Sequence, residues 1–257
     1  MGLFPKILVP LIALVLAGCF YSRKEDFKPE MLRGKHVIVT GASMGIGEQM
    51  AYHLASMGSH ILITARTEAK LQKVNVKYSY IHVLPQVVSR CLELGAASAR
   101  YMNGSMEDII FAQLVVKKAE ELWGKHSKGI FLGKILRKVG FPFTVPYSAT
   151  KFALDGFFSS LRQEFVMQNT NVSITLCILG LIDTESAMKA TSGVFTSPAA
   201  PKEECALEII KGGALRQREV YYEYKSTKIP LLIRDWAPDL LDYLIRRSYN
   251  MEKLKED

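Results

Sequence analysis

Short apolar runs alternate along the chain with longer stretches in which apolar and polar residues follow helical spacing. Two runs rich in β-branched residues, 35–40 and 60–65, flank a helical pattern that starts at Gly45 and ends near Met57. Continuous apolar runs of this length are typical of strands that are buried on both faces. A strand, a glycine-rich turn, a helix and a second strand within about 30 residues form a βαβ unit. The pattern therefore predicts an α/β fold with a Rossmann-like, doubly wound parallel sheet.

Further elements follow from the same periodicities. The pattern predicts a helix that starts over 68–74 and continues over 87–94, helices over 106–122, 147–167 and 201–210, and a buried strand over 172–179. The segment 75–86 is aromatic, β-branched and contains proline, which fits a helix interior badly, so we expect an insertion there. Residues 123–146 contain no convincing buried strand. The tail 229–249 predicts an amphipathic helix that lies against a partner, a membrane surface or the core.

The N-terminal region is strongly apolar. Residues 7–22 carry no charge, and residues 2–5 extend this run beyond a single lysine, Lys6. A membrane-spanning helix needs about 20 residues, and Lys6 can reach the interface with its ammonium group. We interpret the region as an uncleaved anchor; a cleaved signal peptide is the alternative, since residues 17–19 offer small side chains. The chain then comprises an anchor (1–22), a linker (23–33) and an α/β domain (34–257).

Composition narrows the classes of function. The formal net charge is +8, but the basic residues are spread along the chain, which argues against nucleic acid as a partner. The four cysteines lie far apart with no CxxC pair, and no cluster with histidine has metal-ligand spacing. We therefore interpret the cysteines as buried apolar residues and expect no metal site.

The residues 40–47 (TGASMGIG) follow a strand and open a helix. Glycine permits a tight turn and a close approach of backbone to a pyrophosphate, and the helix N-terminus supplies free N–H groups. We interpret this turn as a dinucleotide-binding site. Arg66 ends the second strand, where an arginine accepts the 2′-phosphate of NADP. This favours NADP(H) over NAD; a solvated arginine is the alternative.

Tyr147 and Lys151 are the candidate catalytic pair. The YxxxK pattern recurs at Tyr221, Tyr224 and Tyr249, so the spacing alone decides nothing. Tyr147, however, begins a long helix, on which residues i and i+4 share a face. The Lys151 ammonium can then stabilise the Tyr147 phenolate, which exchanges a proton with a carbonyl or carbinol oxygen while the nicotinamide exchanges hydride. A purely structural pair is the alternative.

These motifs, in this order, resemble the short-chain dehydrogenase/reductase family. Three longer stretches, 147–156, 171–189 and 200–222, resemble its 11β-hydroxysteroid dehydrogenase group. The resemblance implies an NADP(H)-dependent oxidoreductase that interconverts a steroid ketone and alcohol, with 11-keto and 11β-hydroxy glucocorticoids as substrates. It also implies a homodimer, held by a single-pass anchor in the endoplasmic reticulum membrane with its catalytic domain in the lumen. Asn103 and Asn171 begin sequons that are usable only in that compartment.

The motif and the resemblance together imply a set of cofactor contacts. These are Gly41, Ser43, Met44, Gly45, Ile46, Gly47, Arg66, Thr67, Ser105, Met106, Tyr147, Lys151, Ile182 and Thr184.

The sequence departs from the family in its middle. The family places a catalytic serine thirteen residues before the tyrosine, but Lys134 occupies that position here, and Ser127 is the only serine between residues 123 and 147. The region is shorter than in the family by several tens of residues, enough for a strand, a helix and a strand. We therefore expect a sheet without its central strands and little turnover, since loss of such a hydroxyl costs about 10²-fold in rate. The alternative function is that of a catalytically impaired, membrane-anchored variant that acts as a binding or dimerisation partner.

Overall fold

The computed structural model describes residues 26–66, 83–124, 135–136, 138–191 and 198–249. Within these ranges the chain forms six strands and nine α-helices, preceded by one turn of 3₁₀ helix at Pro29–Leu32. The strands are β1 (His36–Thr40), β2 (His60–Ala65), β3 (Ser98–Asn103), β4 (Ile135–Leu136), β5 (Leu176–Leu179) and β6 (Glu219–Tyr222). The helices are α1 (Gly45–Ser56), α2 (Val83–Glu93), α3 (Ile109–Trp123), α4 (Val145–Met167), α5 (Glu185–Thr191), α6 (Lys202–Ala214), α7 (Tyr224–Thr227), α8 (Ile229–Trp236) and α9 (Pro238–Arg247).

The strands form two parallel sheets of three strands each, in the orders β1-β2-β3 and β4-β5-β6. In the first sheet His36 pairs with His60, and His60 pairs with Ser98. In the second sheet Cys177 pairs with Ile135 on one side and Val220 on the other. The prediction of an α/β fold with parallel strands is confirmed. Among the described strands, however, none joins β1 to β4, so the sheet is divided in two.

One apolar core extends across both halves of the fold. Val37, Val39 and Ile61 in the first sheet belong to the same buried cluster as Cys177 and Leu179 in the second. Helices α1 and α6 connect them, because these two helices pack directly against each other. The Nε2 of His53 also donates a hydrogen bond of 3.0 Å to the Glu203 carbonyl across this contact. Helix packing therefore joins the two sheets where strand pairing does not.

Several predicted boundaries differ from those observed. The described part of helix α2 covers Val83–Glu93, so residues 83–86 of the segment that we expected to be an insertion are helical. Asp108 precedes α3 as its N-cap instead of lying in its first turn, and its carboxylate accepts a 2.9 Å hydrogen bond from the Ile110 N–H. The predicted strand 172–179 is shorter, since only Leu176–Leu179 has strand neighbours.

The tail and the weaker strands also differ from the predictions. The tail forms two helices, α8 and α9, instead of one, because Pro238 cannot continue a helix from Ala237. A two-residue strand, β4, lies in the stretch where no strand was predicted.

The predicted anchor, residues 1–22, and the predicted helix start at 68–74 lie outside the described residues. Among the helices that the structure does describe, none combines the length and apolar character that a membrane span requires.

Candidate functional site

The glycine-rich turn lies at the carboxyl end of β1, between that strand and α1. Gly41 and Gly45 have φ angles of +69° and +64°, in the left-handed region that favours glycine. Gly47 is restricted by space: a Cβ there would meet the Gly41 carbonyl oxygen and lie 2.9 Å from its carbonyl carbon. Glycine is therefore needed at these three positions, and the turn is tight enough to present its backbone to a ligand.

The N-terminus of α1 is open to an anion. Its N-cap residue, Met44, has an extended backbone and makes no side-chain hydrogen bond to the first turn. The first N–H groups of a helix have no partner inside it, and the dipole of the 12-residue helix adds positive potential at this end. The turn and the helix start therefore fit the phosphates of a dinucleotide.

A cavity of about 1010 Å³ opens beside this turn. Its lining includes the glycine turn, Met106, Thr184 and Lys151. A Cβ at Gly45 would lie 3.1 Å from Cγ2 of Thr184, so the turn and the loop before α5 are in contact. Largely apolar residues of β1, α3, α4 and α6 also line it.

The structure brings many of the predicted cofactor contacts to this cavity. Those that line it are Gly41, Met44, Gly45, Ile46, Gly47, Met106, Lys151 and Thr184. Four other predicted contacts lie elsewhere. Ser43 is half-buried beside the turn, and Arg66 is exposed at the end of β2. The hydroxyl of Ser105 accepts a 3.2 Å hydrogen bond from the Glu107 N–H, and Ile182 is buried in the core. Thr67 lies outside the described residues.

Tyr147 and Lys151 share a face of α4. The Nζ of Lys151 lies 5.1 Å from the centroid of the Tyr147 ring, so a positive charge stands beside the phenol. Tyr147 is 46% exposed and lies outside the cavity wall, whereas Lys151 is part of it. The structure thus brings the lysine, but not the tyrosine ring, to the same cavity as the glycine turn. Lys134 and Ser127, the residues relevant to the missing catalytic serine, lie outside the described residues.

Four hydroxyl residues on the cavity wall, Thr40, Ser173, Thr175 and Ser186, were not predicted as cofactor contacts. Ser173 and Thr175 lie in the segment just before β5, which the sequence pattern assigned to the strand itself. Thr175 is committed to the fold, because its hydroxyl donates a 2.7 Å hydrogen bond to the Gln217 carbonyl. Of the two residues before β5, Ser173 therefore has the more available hydroxyl. The surrounding sequence did not indicate that it would line a cavity.

The described cysteines have no reactive character. Cys91, Cys177 and Cys205 are buried as free thiols. Burial raises the pKa of Cys91 to about 11 and the pKa values of Cys177 and Cys205 to about 12. The described part of the chain also contains no group of three or more His, Cys, Asp or Glu side chains that could hold a metal ion.

This fold is similar to that of solved structures, two of which are described as short-chain dehydrogenases. A short-chain dehydrogenase/reductase variant of Serratia marcescens covers 75% of this chain and 97% of its own, with a TM-score of 0.58 and 16% identity. A short chain dehydrogenase of Burkholderia cenocepacia, solved in complex with NADP, covers 74% and 97%, with a TM-score of 0.57 and 17% identity. Fold and site together define an α/β protein of the dinucleotide-binding class.

Sequence comparison gives the family. The pattern of the short chain dehydrogenase family matches residues 35–125 and 110–194. The hydroxysteroid 11-beta-dehydrogenase 1-like protein of Danio rerio is 39% identical over 97% of this chain and 99% of its own length. The hydroxysteroid 11-beta-dehydrogenase 1-like protein A of Xenopus laevis is 36% identical over 97% and 98%. The chain therefore belongs to the short-chain dehydrogenase/reductase family, whose members are oxidoreductases.

These comparisons also bear on the shortened middle of the chain. The alignment with the Xenopus relative spans 299 positions. The aligned 97% of this 257-residue chain fills about 50 fewer positions than that. The two family matches overlap at residues 110–125, so the family pattern does not run uninterrupted through this region. This chain lacks about 50 positions that its relatives have.

Proposed function

We propose that this chain is an NADP(H)-dependent oxidoreductase that interconverts a steroid ketone and the corresponding alcohol. The observation that carries the proposal is the arrangement around one cavity. The glycine turn, the N-terminus of α1 and Lys151 all border it, and the Lys151 ammonium stands 5.1 Å from the Tyr147 ring. In this proposal Lys151 links the phosphate site, whose cavity it lines, to the proton-transfer pair that it forms with Tyr147.

Each residue then has a defined task. NADP(H), when bound, supplies or accepts the hydride. The amides at the start of α1 bind its phosphates, and Arg66 at the end of β2 pairs with the 2′-phosphate. Tyr147 donates a proton to the steroid oxygen during reduction and accepts it during oxidation, and Lys151 stabilises the phenolate that this leaves. Tyr147 therefore has to turn toward the cavity when substrate binds.

The cavity supports an apolar substrate. Its inner walls are formed by aliphatic and aromatic side chains, and its volume of about 1010 Å³ is at the upper end of the usual range for small-molecule sites. A steroid skeleton is apolar with few polar groups, which suits such walls. Because the relatives at 36% and 39% identity are named as hydroxysteroid 11-beta-dehydrogenase 1-like, we propose 11-keto and 11β-hydroxy glucocorticoids as the substrates.

The cellular setting is also part of the proposal. The apolar run in residues 1–22 anchors the chain in the endoplasmic reticulum membrane, with the α/β domain in the lumen. Asn103 and Asn171 are exposed, so both sequons are accessible to glycosylation there. The protein acts as a homodimer.

A second function is favoured by a specific observation. Tyr147 lies outside the cavity wall, and the sheet that should support the active site is divided between β1 and β4. A chain with these features binds the cofactor without turnover and acts as a membrane-anchored binding or dimerisation partner. The result expected for this function is cofactor binding without catalysis.

The test uses the full chain reconstituted in lipid nanodiscs. NADPH-dependent reduction of an 11-keto glucocorticoid is measured for the native chain, for Tyr147→Phe and for Tyr243→Phe. Tyr243 is an exposed tyrosine of α9 and serves as the matched control. Turnover that falls by about 10²-fold in Tyr147→Phe only supports the enzyme. A thermal shift with NADPH but no turnover supports the second function, and the absence of both results refutes both.

A further inference from the structure

The cavity beside the glycine turn is lined by charged as well as apolar side chains. Among the described residues, the charged ones are Glu48, Lys151, Glu185 and Lys202. Lys151 belongs to the proposed proton-transfer pair, and the two glutamates have partners of their own, a 2.8 Å hydrogen bond from Tyr52 and a 2.7 Å ion pair with Lys189. Lys202, the first residue of α6, therefore has no task yet in the proposed function.

Hydrogen bonds hold the start of α6 next to the glycine turn. The Lys202 N–H donates a 2.7 Å hydrogen bond to the Asp183 carboxylate, and the Asp183 N–H donates one of 3.0 Å to the Ala200 carbonyl. The next residue, Thr184, reaches the turn itself, because a Cβ at Gly45 would lie 3.1 Å from its Cγ2. Asp183 and Thr184 thus connect Lys202 to the glycine at which α1 begins.

The Lys202 side chain is suited to an anion in this part of the cavity. A lysine carries a compact charge on a flexible four-carbon stem, so its ammonium reaches beyond the contacts of its own backbone. Lys202 is half-buried, and its ammonium forms no hydrogen bond or ion pair with the residues that the structure describes. A phosphate bound at the turn would supply the negative charge that the protein does not place beside this ammonium.

The charge of Glu48 gives a second reason for a cation here. Glu48 lies in the first turn of α1 and lines the same cavity, so its carboxylate repels phosphates that approach the turn. The N–H groups and the dipole of α1 attract phosphates against this repulsion. Because the Lys151 ammonium stands beside the Tyr147 ring, Lys202 is the cation that can offset Glu48.

We propose that Lys202 is a cofactor-binding residue that pairs with the pyrophosphate of NADP(H). This inference rests on the proposed function and adds an ammonium group to the backbone amides of the phosphate site. Arg66 at the end of β2 and Lys202 at the start of α6 then bind different phosphates. NADH contains the pyrophosphate but lacks the 2′-phosphate, so the two cations should respond differently to NADPH and NADH.

The test measures NADPH and NADH affinity by titration calorimetry, with the full chain in nanodiscs. Lys202→Gln should weaken the binding of both nucleotides by the same factor, about threefold to tenfold, because both carry the pyrophosphate. Arg66→Gln should weaken NADPH binding more than NADH binding. Lys117→Gln is the matched control and should bind as the native chain does, because Lys117 is exposed on α3 and lies outside the cavity lining.

Two further measurements separate the charge of Lys202 from its packing. Lys202→Arg keeps the charge and should restore most of the affinity. Added salt should weaken NADPH binding less in Lys202→Gln than in the native chain, since one ion pair that salt can screen has been removed. Melting temperatures without nucleotide check the fold. Lys202→Ala also removes the charge and favours a helix, so it replaces Lys202→Gln if that variant does not fold.

The outcomes distinguish this inference from the proposed function. Native affinity for both nucleotides in a folded Lys202→Gln protein would overturn the inference and leave the proposed function intact. Weaker NADPH binding with unchanged NADH binding would also overturn it, because Lys202 would then act on the 2′-phosphate. An equal loss of affinity in Lys202→Gln and Lys202→Arg would assign the effect to packing and overturn it as well. If the native chain binds neither nucleotide, the proposed function fails and this inference fails with it.

Discussion

Replacing Gly47 by alanine tests how the glycine turn works. The added Cβ would meet the backbone carbonyl of Gly41, at 2.9 Å from its carbon and 3.2 Å from Cα of Ala42. These are backbone atoms, so no side-chain rotation can relieve the contact. Either α1 or the turn must shift, and both form the proposed phosphate site.

The size of the effect follows from that contact. An added methyl group in a fully packed position costs about 1–3 kcal/mol. If this loss falls on the folded state, the melting temperature drops by about 2–4 °C for each kcal/mol in a chain of this length. If the turn instead opens to admit the methyl group, its amides move away from the phosphates. NADPH affinity then falls by about tenfold for each 1.4 kcal/mol.

The assay compares three proteins for thermal stability and NADPH binding. Gly156→Ala is the matched control, because a Cβ at Gly156 meets nothing within 4 Å and the residue lies inside α4. That change should stabilise the chain by about 0.5–1 kcal/mol, since alanine favours a helix more than glycine does. A Gly47→Ala protein with native stability and native NADPH affinity would show that the turn is not packed as described.

Three further predictions concern stability. Asp108→Ala removes the N-cap of α3 and should cost about 1 kcal/mol in urea unfolding, whereas Asp108→Asn should cost little. Leu54→Ala should cost about 2–5 kcal/mol because Leu54 is fully buried, and an exposed change such as Leu232→Ala should be close to neutral. Partial burial, His60 and Lys35 hold the pKa of His36 below 6.5 in the folded chain. The unfolded state therefore binds this proton more readily, and stability should fall as pH drops below about 6.5. His36→Phe, which keeps the stacking on Trp123, should flatten this part of the profile of melting temperature against pH; an unchanged profile would exclude His36 as its source.

The first βαβ unit could be predicted because its strands are largely apolar: β2 is buried on both faces, and β1 buries Val37 and Val39 on one face and half-buries Ile38 on the other. The short, largely apolar runs at 36–40 and 60–65 are typical of buried strands. The glycines between them are required by backbone geometry. By contrast, β3 was not predicted, since it exposes Arg100 and Tyr101 and buries only Ala99 fully. The exposed Arg100 and Tyr101 break the apolar run by which a buried strand is predicted.

Tertiary context decided the remaining differences. Residues 172–175 have the composition of a strand, but no described strand pairs with them, and they line the cavity instead. The spacing of Tyr147 and Lys151 correctly placed both side chains on one face of α4. No sequence rule gives the orientation of that helix relative to the glycine turn, because it depends on the strands that separate them. Among the described strands of this chain none joins β1 to β4, and the tyrosine ring lies outside the cavity.

The packing of α1 on α6 has a consequence for folding cooperativity. Two sheets without a shared strand could melt as two independent units, each with its own transition. Here a single buried cluster contains residues of both sheets, and the two helices close it from the middle. Neither half can lose its side of that cluster without exposing the other half to water. The described region should therefore unfold in one calorimetric transition, with coincident loss of helical and aromatic signals, even though its hydrogen-bond ladders are separate.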